Sequence, residues 1–427
     1  MSFLGMRGTG EFVANQRPES RDELILRLFP NGQAPLTAIM AKLGSKSVTD
    51  PVYHYWRKTL PAQRVAGTAG AFIYDSSGLG TEYGTTYPTG APIATTIYVK
   101  MTAAEILQMK VGHVILFRSS TNYLLDCAGV ITAVTVAGAS SYLTVKLIEA
   151  DDNGGGVYLT TCDLVYIIGT AHGEGALSPT AVAQDVVEDW NQCQIFKDSL
   201  EMTNTALVTK LRTGDAYQEA KRDCLEFFSI QREKAYWWGV RYSDADPVTG
   251  KPRRFTGGII KKIVTNRDDY SVNTDFSGQT WLQGGEDWFD AALETLFRYG
   301  STEKLAFCGS GAILGINKLA KQNGNIQIQP MTVAYGLKVG QWITPFGTLY
   351  LKTHPLFSFE PTTRNSLVAI EPRNLERRVL RDTKFEQNIQ ANDADEKKDQ
   401  FICEDGLKMD FEETFAYLNG VGVDSTL

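Results

Sequence analysis

Between Gly214 and Gly239 the chain carries neither glycine nor proline, and Tyr217, Ala220, Cys224, Phe227, Ala235 and Trp238 recur at steps of three and four. Gln231 is the one polar residue in that series, while Glu219, Arg222, Asp223, Glu226, Arg232 and Glu233 fill the other positions. Such spacing predicts an amphipathic helix with one apolar stripe. At 1.5 Å per residue it is about 36 Å long, a strut rather than a holder of chemistry. A second helix is predicted where Trp288, Phe289, Ala292, Leu293, Leu296 and Phe297 share a face, led in by 281–285 and ended by Gly300. Residues 304–308 read as a buried strand, Gly309-Ser310-Gly311 as a turn and 312–321 as a third helix. Strand patterns follow at 348–353 and 366–370, and in the tail F-I-C-E and L-K-M-D-F flank Asp405-Gly406, a hairpin signal.

Upstream, the first twenty residues are glycine-rich and polar and look like an extended arm. Ser20-Arg21-Asp22-Glu23 forms a capping box before the apolar run 24–29, Pro30-Asn31-Gly32 stops it, and a second apolar segment covers 36–43. A two-turn helix on an arm cannot hold itself together, so it needs a surface in its own domain or on a neighbour. Residues 64–92 are rich in Gly, Thr and Tyr with no helical period, which predicts a long loop or extended hairpin leaving the core. Its Phe72, Tyr74, Tyr83 and Tyr87 imply that something covers it. From 95 to 170 five short β-branched runs, with the plainest turn at Asp151-Asp152-Asn153-Gly154-Gly155-Gly156, suggest a small barrel or sandwich. Ser178-Pro179 supplies a cap and first-turn proline for a short helix through Val187. The charged run 392–399 reads as a solvated loop.

Composition narrows the chemistry. At 427 residues, two or three packing units are expected. The net charge of −7 repels phosphate backbones, which argues against sequence-specific nucleic-acid binding yet suits a wall beside DNA. Cys127, Cys162, Cys193, Cys224, Cys308 and Cys403 show no zinc or redox spacing, and a reduced, cytosolic setting is expected. Neither a signal-peptide run nor a membrane-length apolar stretch is present in the sequence. His54, His113, His172 and His354 lie at no ligand spacing and read as structural imidazoles. Gly309-Ser310-Gly311 invites a dinucleotide reading, but the third glycine of that fingerprint would fall on Leu314 and no acidic residue sits near the ribose-binding offset. Cys308 likewise stands where a nucleophile elbow wants glycine. No catalytic, cofactor-binding or metal-ligating residue is therefore assigned. Lys251-Pro252-Arg253-Arg254 with Lys261-Lys262 is the one notable basic cluster, read as a salt-bridging surface between subunits.

Several segments carry a resemblance: L-R-L-F-P-N-G-Q-A-P-L-T-A-I at 26–39, Q-R-E-K-A-Y-W-W-G at 231–239, R-R-F-T-G-G-I at 253–259, T-P-F-G at 344–347 and L-K-M-D-F-E-E-T at 407–414. In this order the chain resembles the major capsid proteins of tailed bacteriophages, in the branch with a β-domain inserted near the extended loop. The resemblance implies an α+β, Hong Kong 97-like fold: an arm at 1–60, an extended loop at 61–95 and an inserted β-domain at 96–175. A peripheral domain with the spine helix follows at 176–260, an axial domain at 261–375 and returning peripheral strands at 376–427. It also implies no enzyme activity and no cofactor. The subunit would assemble in the host cytoplasm with copies of itself into the pentamers and hexamers of an icosahedral head. That head encloses double-stranded DNA without sequence-specific binding and without a membrane. A separate scaffolding protein, a portal at one vertex and a decoration protein are the implied partners. The alternatives are another virion component, such as a decoration or tail protein, or an α/β enzyme using the 309–315 turn. If extensions are covered only by sibling copies, residues 70–90 and 20–29 should pack poorly within one subunit.

Overall fold

The computed structural model describes residues 34–58, 64–67, 71–121, 126–151, 159–210, 214–323, 329–334 and 337–427. The capped segment 20–29 and the turn residues 152–156 lie outside them. Two compact units result, one being Lys58–Val187 and the other Met1–Arg57 with Glu188–Leu427.

The unit Lys58–Val187 is one seven-stranded antiparallel sheet. Its strands run, edge to edge, Arg64–Ala66, Leu164–Thr170, His113–Arg118, Asp126–Thr135, Tyr142–Leu147, Thr96–Lys100 and Ile73–Tyr74. The five runs predicted between 95 and 170 are five of these strands. Alternation sets the buried face: Ile97 and Val99, Ile115 and Phe117, and Leu143 and Val145 point into one core. The two edge strands are not paired with each other among the described residues, yet all seven strands share one core, from Val65 on one edge strand to Ile73 on the other. The segment 70–90, expected to pack poorly within one subunit, instead contributes Phe72, Ile73 and Tyr83 to this core. The Tyr83 hydroxyl donates to the buried Asp151 carboxylate at 2.6 Å. Its aromatic content did require a cover, and the cover is the unit's own sheet. Residues 171–186 hold no helix, contrary to expectation; they are exposed almost throughout, so no apolar contact supports the two turns that Ser178-Pro179 would start.

The second unit is built on a mixed seven-stranded sheet in the order Arg267–Asp269, Ala416–Asn419, Leu367–Ile370, Glu303–Cys308, Thr348–Thr353, Leu337–Ile343, Gln329–Ala334. Its central strands are buried on both faces. Leu305 and Phe307 point to one core with Val368 and Ile370, while Ala306 and Cys308 point to the other with Leu367 and Ala369. Helix Trp281–Phe297 covers the second face and starts at a capping box, Thr280 with Gln283. Helix Ser310–Asn323 packs beside it.

A four-stranded sheet, Ser45–Ser47, Leu375–Glu386, Glu396–Met409 and Gln194–Thr203, carries the long helix Ala216–Trp238. The helix spans the predicted length, and of the predicted stripe Cys224 is buried while Tyr217, Ala220, Ala235 and Trp238 pack against the cores; Phe227 alone does not. Cys224, Phe228, Arg232, Glu233, Tyr236 and Trp237 are buried, and Phe227 is 60% exposed. Arg232 and Glu233 sit in the packed face because each has a buried partner, which an apolar pattern cannot register. The Asp405-Gly406 turn does not exist either: Glu396–Met409 is one continuous strand. Asp405 is fully buried and accepts from Arg232 at 2.8 Å and Arg377 at 2.6 Å. Gly406 lies where a Cβ would come within 2.6 Å of the Tyr53 hydroxyl and 2.7 Å of the Gln192 carbonyl. The charged run is only partly a loop, since Asp399 is fully buried and accepts from the Asn388 amide at 2.7 Å and from the Tyr217 hydroxyl. Burial, with that hydrogen bond, pushes the Tyr217 phenol up to about 12.

Candidate functional site

The strand-to-helix turn at Gly309 is built for packing. A Cβ on Gly309 would lie 2.2 Å from the Arg364 carbonyl. The amides that a phosphate would need are already used. Gly311 and Ala312 N–H donate to the Arg364 carbonyl at 3.0 and 3.1 Å, and Ser310 N–H donates to the Ser358 hydroxyl at 3.2 Å. A nucleotide would have to displace all three, so the geometry gives the turn no cradle. Among the described residues no group of three or more His, Cys, Asp or Glu is placed to hold a metal, and no helix is long and apolar enough to cross a membrane.

The charged groups with the closest geometry are buried and paired. Glu233, with no solvent exposure, accepts from the Leu36 amide at 2.8 Å, the Thr37 amide at 2.8 Å and the Thr37 hydroxyl at 2.6 Å. These donors open helix Pro35–Leu43, so one carboxylate on the long helix caps that helix. His354 Nε2 lies 2.9 Å from the same carboxylate. Its Nδ1 accepts from the Leu356 amide at 3.2 Å, and the Trp237 indole N–H lies within hydrogen-bond reach of both Nε2, at 3.1 Å, and the Glu233 carboxylate, at 3.3 Å. In the core of the mixed sheet the Lys304 side chain, also without exposure, donates to the carbonyls of Tyr299 at 2.9 Å and Thr414 at 2.7 Å and pairs with Glu371 at 3.3 Å. Burial lowers the Lys304 ammonium from its ordinary value, opposed by Glu371. No local pattern signals these contacts, whose partners stand up to 197 positions apart.

The basic cluster comes apart. Arg253 is held by Asp244 across the hairpin Tyr242–Ala245 and Pro252–Phe255, at 2.6 and 3.0 Å. Lys262 turns inward to Asp189 at 2.6 Å, to the Met409 carbonyl at 2.9 Å and to the Tyr55 hydroxyl. Burial alone raises the Asp189 carboxyl, but Lys262 outweighs it and holds it below the ordinary carboxylate range. Beside this pair opens a cleft of about 480 Å³ whose lining includes Arg57, Asp189, Trp190, Arg241 and Lys261. Arg241 stacks 4.0 Å over the Trp190 ring and donates to the Trp190 carbonyl at 2.7 Å.

All six cysteines are buried and free. Burial pushes the thiols of Cys127, Cys162, Cys193 and Cys403 up to about 12 and that of Cys224 up to about 11.

The model of the SU10 major capsid protein family matches residues 7–422. The major capsid protein of Pseudomonas phage PaMx41 is 25% identical over 342 residues, spanning 78% of this chain and 72% of that protein. Among solved structures, the capsid of Myoviridae phage XM1 covers 85% of this chain and 95% of its own, with 11% identity and a TM-score of 0.37. The holo-SrpI encapsulin complex of Synechococcus elongatus PCC 7942 covers 57% of this chain and 79% of its own, with 9% identity and a TM-score of 0.38.

Proposed function

This chain belongs to the SU10 major capsid protein family, and from that membership we propose how its parts serve a phage head. It is a major capsid protein, a self-associating subunit of the virion shell. We propose that copies form the pentamers and hexamers of an icosahedral head around double-stranded DNA, in the Hong Kong 97-like arrangement. Residues 261–375 would take the axial position in each capsomer. Residues 176–260 and 376–427 would lie at its periphery, with 1–60 as the arm, 61–95 as the extended loop and 96–175 as the inserted β-domain. The role is structural rather than catalytic, which fits the spent amides of the Gly309 turn. Assembly in the host cytoplasm on a separate scaffolding protein, with a portal at one vertex and a decoration protein outside, completes the reading.

The observation that carries it is the extent of the family match, 416 of 427 positions (422 − 7 + 1 = 416). Physics agrees, since weak contacts repeated around a closed symmetric object sum to a stable one. Electron microscopy of the purified protein, with and without scaffold, is the test. Closed shells or five- and six-fold capsomers are expected. A protein that stays monomeric across concentration, with scaffold present, would overturn the reading.

A further inference from the structure

The cleft beside Trp190 has a property that its composition hides. Its acids are already satisfied by their own chain, and its cations are not. Asp189 is taken by Lys262, Glu188 by His54 at 2.6 Å, and Glu412 by the Val264 and Thr265 amides and the Thr265 hydroxyl. Lys261, exposed at the cleft wall, makes no ion pair among the described residues. Among the described residues Arg57 pairs only with Glu413, at 3.7 Å, and Arg241, one of whose donors goes to the Trp190 carbonyl, reaches Asp189 only at 3.7 Å. Three cations therefore keep donors unspent around one cavity, on a chain whose net charge is −7.

Two groups could satisfy them, a phosphate or a carboxylate on another chain. The rim decides between them. Val264 is 74% exposed and Val240 57%, and Trp190 is also partly uncovered, so the cations are set among apolar side chains. A nucleic-acid backbone gains nothing from such a rim, whereas a peptide covers it while delivering its carboxylate to the guanidinium and ammonium groups. The acid excess of the chain itself supplies the complementary surface. We infer that this cleft receives an acidic side chain, flanked by apolar residues, from a second copy of the chain in the assembled shell, with Lys261, Arg57 and Arg241 as its ionic partners. This inference rests on the shell reading and deepens it.

Zero-length coupling tests the pairing directly. A carbodiimide joins an amine to a carboxylate only where the two already touch. Shells co-assembled from unlabelled and 15N-labelled subunits are treated, digested and read by mass spectrometry. The expected product links Lys261 of one isotope to an Asp or Glu of the other. Lys261→Arg is expected to assemble like the parent and lose the link, because a guanidinium is not coupled. Lys261→Glu is expected to raise the protein concentration needed for assembly at low salt, with the gap shrinking as salt screens the pair. Shells that form normally yet link Lys261 only within its own chain, or not at all, would overturn this inference alone. So would Lys261→Glu assembling at the parent's threshold, or Lys261 protected only while DNA fills the particle. Failure of the parent to form shells would instead remove the reading beneath it.

Discussion

Phe227 and Phe228 are one position and about 100° apart around a helix of 3.6 residues per turn. That rotation separates a side chain in the core from one in solvent. Phe228 is 1% exposed and packs against Phe401 with ring centroids 6.0 Å apart, while Phe227 is 60% exposed. Replacing Phe228 by alanine should cost about 3–5 kcal/mol by removing a buried ring and leaving a cavity. The same change at Phe227 should stay within about 0.5 kcal/mol in the isolated subunit. Urea unfolding of the two variants checks this, and equal losses would show that the helix sits in the other phase. The stripe Tyr217, Ala220, Cys224 packs as its spacing predicts, but its continuation to Phe227 misleads because the packed face runs on through Phe228, Arg232 and Glu233. The burial of Arg232 is offset by Asp405 and that of Glu233 by His354 with the Pro35–Leu43 amides.

Between elements, one close approach is backbone on backbone. A Cβ on Gly315, in helix Ser310–Asn323, would lie 2.4 Å from the Cα of Gly422 in the C-terminal turn, where Gly422 itself holds φ +85°. Neither chain can give way as a flexible side chain could. Gly315→Ala is therefore expected to lose about 1–3 kcal/mol from overpacking, read as a lowered Tm, although alanine favours helices. At this scale the sequence was a good guide wherever one period governed a segment. The long helix, helix Trp281–Phe297, strand Glu303–Cys308 and the five sheet runs after residue 95 all follow from local spacing. It misled where distant charges decide. The straight path of Glu396–Met409 through Asp405-Gly406 depends on Arg232, 173 positions away, and no local propensity can contain that. The cleft was equally illegible: Arg57, Asp189, Trp190 and Arg241 are neighbours only after folding.

At the scale of the molecule, the two units differ in how their segments are drawn from the chain. Lys58–Val187 is continuous and owns its core, whereas the larger unit is closed by segments from both ends of the sequence. Residues 58–187 produced alone are expected to fold cooperatively, with a sigmoidal urea transition; a gradual, featureless one would mean that the sheet needs the rest of the chain. Such independence would let a shell lineage gain or exchange this unit without rebuilding the capsomer framework. The sequestered cysteines have a practical corollary. Thiol reagents attack the thiolate, and here every thiol is both covered and held far from ionising at neutral pH. A particle made of this subunit would be a silent background for maleimide dyes, so one cysteine placed on its exposed connector, at Leu177 for instance, would carry the whole signal.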